Sequence, residues 1–140
     1  MTGQYEHTID VKGRLFIPAR LRDELGSTFY VTISGTTDRC LIAYSEASWA
    51  RFNEKFASLP YTKTRQMRQI FAKAAKCEPD AQGRILIPQN LRALIGLEKD
   101  AVIIGVSNRA EIWSAENYAA VEEEQMDPVA MAAAMEELGF

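Results

Sequence analysis

Apolar and polar positions follow one another along this chain in short blocks, and each change of period marks an element. Asp10-Val11-Lys12-Gly13 is a turn, since Asp can bond the backbone two residues on and Gly accepts positive φ. Residues 14–17 then read as a short strand. Pro18 ends it and opens a helix, where its missing N–H is harmless, and Gly26 supplies the stop. Leu21 and Leu25, at i and i+4, face inward. Residues 29–34 and 40–44 are rich in β-branched and aromatic side chains around Gly35-Thr36-Thr37-Asp38, the pattern of a hairpin. Ser45 is placed to cap a following helix that carries Trp49, Phe52 and Phe56, aromatics expected in the core. Residues 61–76 put Met67, Ile70, Phe71 and Ala74 on one helical face. Lys63, Arg65, Arg68, Lys73 and Lys76 lie in the same segment with no acid among them, which predicts an amphipathic helix with a basic outer side.

The pattern then starts again. A shift of 70 residues lays Asp10–Gly26 over Asp80–Gly96 with eight of 17 positions identical: Asp, Gly, Arg, Ile, Pro, Leu, Arg and the final Gly. The match continues, with one deletion, into Tyr44-Ser45-Glu46-Ala47-Ser48-Trp49 against Trp113-Ser114-Ala115-Glu116-Asn117-Tyr118. The second hairpin is shorter, residues 101–107 and 110–113 about Asn108-Arg109, and Ser114 precedes a helix bearing Tyr118 and Val121. Units of about 50 residues are marginal alone, so the two copies are expected to share one core about a pseudo-two-fold axis. The predicted organisation is a first half over 5–47, connecting helices over 48–76, a second half over 77–120 and an acidic, helical tail over 121–140. Pro128 breaks that tail, and the apolar residues beyond it are available to a neighbour.

Composition narrows the classes. At 140 residues, 47% hydrophobic and 25% charged, the chain can bury a real core. Its longest apolar runs, 101–106 and 129–135, fall far short of the roughly 20 residues that cross a bilayer. No membrane partner is expected, and the first residues lack the basic start and apolar run of an export signal, which predicts a cytoplasmic protein. Cys40 and Cys77 stand outside any metal-ligand spacing and read as small buried apolar residues. His7 reads as a strand residue, and no phosphate-cradling or nucleophile-elbow motif occurs. The chain therefore reads as a non-enzyme without cofactor or metal. Its net charge of −3 conceals an asymmetry: residues 1–110 hold 16 Lys and Arg against 11 acids, and residues 111–140 hold 8 acids and no base. A basic body with an acidic end is a reason to consider a nucleic-acid surface.

The chemistry that repeats is Asp-x-x-x-Arg, Asp10 with Arg14 and Asp80 with Arg84, each across a turn that holds Gly13 or Gly83. A carboxylate that pins the turn also holds its guanidinium in a fixed direction. Arginine's planar fork of donors suits phosphate oxygens and the major-groove edge of guanine, so two oriented copies make a two-point reader of a duplex. Lys12, Arg20, Arg22 and Arg92 would add phosphate contacts that position without specifying. The alternative at this point is that Asp and Arg simply staple the turn.

The doubled Asp-x-x-Gly-Arg-[apolar]3-Pro-x-x-Leu-Arg resembles the MraZ family, the tandem member of the AbrB/MazE-like (SpoVT-AbrB domain) group of bacterial transcription factors. The resemblance covers nearly the whole chain. It implies a mainly β fold with helices, in which two tandem AbrB-like halves form one pseudo-two-fold swapped-hairpin (double-split) β-barrel capped by helices. It also implies a ring-shaped homo-oligomer and a nucleoid-associated regulator that binds double-stranded DNA, at short direct repeats in the promoter of the division and cell-wall gene cluster. The family's Asp and Arg fall on Asp10 and Arg14 and again on Asp80 and Arg84. Gln82 stands where the first copy has Lys12, and Asn90 where it has Arg20, so weaker phosphate contacts are expected from the second copy. An antitoxin-like protein-interaction module of the same fold is the alternative, although a chain of that kind would be one short domain with a partner-binding tail. A purely structural ring is a third.

Overall fold

Interlocked strands, rather than two adjacent units, join the copies in the computed structural model, which describes residues 1–140. The first copy runs β1 (Gln4–Thr8), β2 (Arg14–Phe16), α1 (Ala19–Leu25), β3 (Phe29–Ile33) and β4 (Leu41–Ser45), followed by α2 (Glu46–Ala57). The connection consists of α3 (Tyr61–Thr64), a 3-10 turn (Arg65–Met67) and α4 (Arg68–Ala72). The second copy runs β5 (Ala75–Cys77), β6 (Arg84–Leu86), α5 (Gln89–Leu94), β7 (Asp100–Val106), β8 (Arg109–Ser114) and α6 (Ala115–Gln125), and α7 (Pro128–Glu137) follows.

Six strands form one antiparallel sheet in the order β1-β7-β8-β4-β3-β5, which reads the same from either end once each strand is replaced by its repeat equivalent. The first strand of each copy crosses to the hairpin of the other: β1 pairs with β7, Tyr5 opposite Ile103, and β5 pairs with β3, Ala75 opposite Val31. At the centre β4 meets β8 with Ile42 opposite Glu111. The remaining strands, β2 and β6, pair only with each other, as a two-stranded ribbon.

Strand alternation sends side chains to both faces of the sheet. Phe29, Val31, Leu41, Ala43, Ala101, Ile103, Ala110 and Ile112 face the main core. There they meet Leu15, Ile17, Ile85 and Ile87 of the ribbon segments and Leu21, Leu25, Leu91 and Ile95 from the short helical segments that follow them. Cys40, Ile42, Val102 and Trp113 form a smaller cluster on the opposite face, with Tyr118 and Val121 of α6 against it. Ser45 and Ser114 cap α2 and α6, each accepting a backbone N–H at 3.2 Å, from Ser48 and Asn117.

Two expectations are corrected here. Trp49, Phe52 and Phe56 are half-buried rather than core: with Tyr30, Tyr44 and Phe71 they build an aromatic stack, Trp49 to Tyr30 at 5.3 Å and Phe56 to Phe71 at 4.5 Å between ring centroids. Large rings with polar flanks cover the sheet's outer face without being enclosed by a further layer. Residues 61–76 are not one helix either. Helical geometry ends at Ala72 because Ala75–Cys77 is drawn into the sheet edge as the counterpart of β1. The buried Thr32 hydroxyl donates to the Ile70 carbonyl at 2.5 Å and anchors α4 to β3. No helix is long and apolar enough to cross a membrane.

Candidate nucleic-acid interface

The ribbon is the point where the two copies of the motif meet. Its central pair is Leu15 opposite Ile85, the same position in each copy, with Arg14 opposite Leu86 and Phe16 opposite Arg84. Leu15 and Ile85 are buried, so by alternation Arg14, Phe16, Arg84 and Leu86 share the outer face. The two arginines lie diagonally across this face, with Phe16 and the exposed Leu86 between them.

Each arginine is aimed by its turn. The Asp10 Oδ1 accepts the backbone N–H of Lys12 at 3.0 Å and of Arg14 at 2.8 Å, and its Oδ2 accepts the Arg14 Nε–H at 2.7 Å. Asp80 repeats the arrangement, with Gln82 N and Arg84 N at 2.9 Å and Arg84 Nε at 3.0 Å. These donors favour the ionised carboxylate, so both acids sit below the usual carboxylate range, held there first by the backbone N–H of Arg14 or Arg84. With Nε committed, the terminal nitrogens of Arg14 make no hydrogen bond within the chain, and its side chain is 35% exposed. Arg84, 29% exposed, also reaches the Asp10 carboxylate of the other copy at 3.9 Å through Nη1. Both forks thus have a fixed root; the outer edge of Arg14 is free, and that of Arg84 leans on Asp10 through Nη1.

The turns need glycine twice over. Gly13 and Gly83 have φ of +85° and +79°, and both are buried under an arginine of the opposite copy. A Cβ on Gly83 would stand 2.8 Å from the Arg22 Cζ, and one on Gly13 would stand 3.0 Å from the Arg92 Cζ. Arg22 Nε donates to the Ile17 carbonyl at 2.8 Å and Arg92 Nε to the Ile87 carbonyl at 2.9 Å, so each guanidinium bridges its own strand end and the other copy's turn. Arg22 Cζ also lies 5.4 Å from the centroid of Phe16, whose ring meets that of His7 edge-to-face at 4.9 Å between centroids.

The sequence-selected residues therefore fall into three groups. Arg14, Arg84, Asp10, Asp80, Gly13 and Gly83 come together at the ribbon and its two turns. Arg22 and Arg92 join them as half-buried clamps, a role that spacing alone does not disclose because their targets lie in the other copy. Lys12 sits on the exposed first turn and Arg20 on the exposed side of α1, and neither forms a salt bridge or a side-chain hydrogen bond. Val11 beside Lys12 is fully exposed at the tip of the turn, an apolar residue that no sequence pattern singles out.

A second polar constellation lies outside the repeated motif and escapes a reading built on it. Glu111 is buried, accepts the Trp113 indole N–H at 3.0 Å on Oε1, and takes Nε and Nη2 of Arg109 on Oε2 at 3.2 and 3.1 Å. Arg-x-Glu-x-Trp on one strand places all three on one face, and that spacing is the signal the sequence offers. Burial pushes both thiols up, Cys40 to about 12 and Cys77 to about 11, which disfavours the nucleophilic thiolate.

An arginine-bearing two-stranded ribbon is one of the two elements that the B-DNA major groove admits, and a fork held at its root suits bidentate contact to guanine or phosphate. Comparison with known proteins agrees in kind. The family described as "MraZ protein, putative antitoxin-like" matches residues 1–69 and again 70–137. A protein of Lachnoclostridium phytofermentans named Transcriptional regulator MraZ is 46% identical over 130 residues, 91% of either chain. One of the same name from Caldicellulosiruptor saccharolyticus is 45% identical over 144 residues, 100% of this chain and 99% of its own. A third, from Thermoanaerobacter sp. (strain X514), is 51% identical over 119 residues, 83% of this chain and 82% of that one.

Proposed function

The chain belongs to the MraZ family, and from that premise we propose that it is a DNA-binding transcriptional regulator whose β2–β6 ribbon enters the major groove. The observation that carries this reading is the pair of Asp-held arginines, Arg14 and Arg84, set diagonally on the ribbon's outer face. In this reading the two guanidinium forks read base edges or phosphate, and Lys12 and Arg20 supply phosphate contacts that fix the register. Arg22 and Arg92 support the turns from behind. The second copy, with Gln82 and Asn90 at the matching positions, grips its half of the site with fewer charges, so the ribbon binds with a polarity.

The finer reading is that the six-stranded sheet and the ribbon together make the double-split barrel of AbrB-like proteins, a reading supported by the exchange of first strands between the copies. Several chains then assemble as a ring on short direct repeats at the promoter of the division and cell-wall gene cluster, in the cytoplasm and on the nucleoid. One ribbon is a small contact, and linking several to adjacent repeats multiplies affinity by on the order of 10² to 10⁴ when the spacing permits joint engagement. No catalysis and no cofactor are part of this function. The antitoxin-like alternative draws on the family's description, but the two Asp-held guanidinium groups on the ribbon's outer face, with the terminal nitrogens of Arg14 unpaired, favour the nucleic-acid reading.

The test is fluorescence anisotropy with the DNA upstream of the chain's own gene against a scrambled duplex, across a salt series. Specific binding with a steep negative salt slope supports the proposal. Equal, weak binding to both duplexes contradicts it.

A further inference from the structure

Two surfaces of this chain are left without partners, and they complement each other. The first is the tail. Every residue from Glu122 to Phe140 is exposed, yet Met126, Val129, Met131, Met135, Leu138 and Phe140 are large and apolar. Met131, Met135 and Leu138 recur at i, i+4 and i+7 and so line one side of the helical end, the spacing of a helix that packs on something. The helix is well built, with Asp127 Oδ1 accepting the N–H of Val129 at 3.0 Å and of Ala130 at 3.3 Å. The tail's acids, Glu122, Glu123, Glu124, Asp127, Glu136 and Glu137, enter no ion pair.

The second surface is a hollow of about 430 Å³ between the end of α2 and the connecting helices. Phe56, Ala57, Leu59 and Phe71 give it apolar walls, and Arg65 and Arg68 stand at its rim. Leu59 and Tyr61 are exposed there. Arg68 donates only to the neutral Tyr61 hydroxyl, at 2.8 Å, and the whole segment from Tyr61 to Cys77 contains no acid. An apolar hollow rimmed by unpaired cations thus matches an apolar helix that carries unpaired carboxylates. The tail does not fill its own chain's hollow, since all of it is exposed.

We propose that α7 of one copy docks in the α2–α4 hollow of a second copy, with Met131, Met135 and Leu138 against Phe56, Leu59 and Phe71 and with Glu136 and Glu137 facing Arg65 and Arg68. Because helix and hollow are different surfaces, the contact is head-to-tail, and it closes into a ring or continues as a chain of copies. This inference rests on the oligomeric part of the proposed function and not on its DNA-binding part. Its salt dependence has the sign expected of opposite charges on two rims, with assembly weakening as ionic strength rises.

The experiment is light-scattering mass determination on the full chain without DNA, so that failure of the DNA reading leaves it untouched. Wild type is compared with Arg65→Glu/Arg68→Glu, Glu136→Arg/Glu137→Arg, their combination, and Met131→Glu/Met135→Glu. All these positions are solvent-facing, and circular dichroism checks that each variant folds. The expected result is a multimer for wild type, dissociation at concentrations on the order of tenfold or more higher for either charge reversal and for the methionine pair, and recovery when both reversals are combined. Wild type at monomer mass overturns the proposal, as does an unchanged mass in all variants, the latter leaving an oligomer built through another surface. Loss in both charge reversals without recovery in the combination also overturns the assigned pairing.

Discussion

Arg22 of the first copy lies over Gly83 of the second, so close that a Cβ on Gly83 would stand 2.8 Å from its Cζ. Arg92 and Gly13 repeat the relationship in the other direction at 3.0 Å. Each turn that aims Arg14 or Arg84 is thereby held by a different arginine from the opposite copy, and neither copy completes its turn alone. That reciprocity gives the Arg that follows the helical Leu the same structural role in both copies.

Gly83→Ala should destabilise the fold by about 1–3 kcal/mol, since the residue must keep a φ of +79° and the Arg22 guanidinium must move. Thermal unfolding of the variant checks this, and a midpoint equal to wild type would refute the packing described. A Gly26→Ala control carries positive φ without the crowding, its nearest atom being 3.9 Å away, and separates strain from contact.

Glu111 offers a prediction that distinguishes hydrogen bonding from charge. Glu111→Ala leaves the Trp113 indole N–H buried without its acceptor and should cost about 1–3 kcal/mol in urea unfolding. Glu111→Gln keeps an acceptor for the indole and should lose less. Equal losses would mean that the Arg109 ion pair, rather than the Trp113 bond, is what matters there.

The acid limb of stability follows from Asp10 and Asp80. Both carboxylates titrate below their ordinary value of 3.8 in the folded chain, so the unfolded chain takes up protons first as pH falls. Their contribution is fully present above the unfolded value and is lost as pH drops through the folded one. Unfolding measured from pH 6 down to pH 2 should therefore show a smaller decline in Asp10→Asn/Asp80→Asn than in wild type, with the two curves converging at the acid end. An identical decline in both would show that the turn hydrogen bonds do not hold these carboxylates ionised.

Lys12 and Arg14 should fail in different ways. Lys12→Ala removes an exposed charge from the turn and should weaken binding to all duplexes alike, flattening the salt slope by about one unit. Gln82→Lys restores that charge in the second copy and should steepen the slope by a similar amount. Salt titrations against specific and scrambled DNA read both effects, and a change confined to the specific duplex would make Lys12 a base reader.

Much of this arrangement is legible in the order of residues alone. The 70-residue repeat predicts a shared core on a pseudo-two-fold, and Leu15 opposite Ile85 is that symmetry made visible. Turn chemistry locates the Asp-Arg pairs, because Asx turns are local and their partners lie four residues away. Local pattern does not encode which strand pairs with which, so the crossing of β1 to β7 and of β5 to β3 cannot be read from residues 1–8 or 75–77. For the same reason residues 61–76 read as one helix: the apolar period continues through Ala74, while the sheet edge claims the chain from Ala75 onward. Trp49 and Phe52 read as core on hydrophobicity alone, but a stack on one side of a sheet with nothing beyond it leaves such rings half-buried. Arg22 and Arg92 look like surface cations on short helices until the other copy's glycine is set beneath them.

The proposed function stands or falls with the reading of DNA by the ribbon's two arginines. Its most direct test is the anisotropy titration of Arg14→Ala, Arg84→Ala and the double variant against the DNA upstream of the gene, with a scrambled duplex beside it. Each arginine removed should cost about 1–3 kcal/mol with the specific duplex and less with the scrambled one, which loses only the non-specific contribution of one cation, so that discrimination falls in each single variant and collapses in the double. Wild-type affinity and discrimination in the double variant would contradict it.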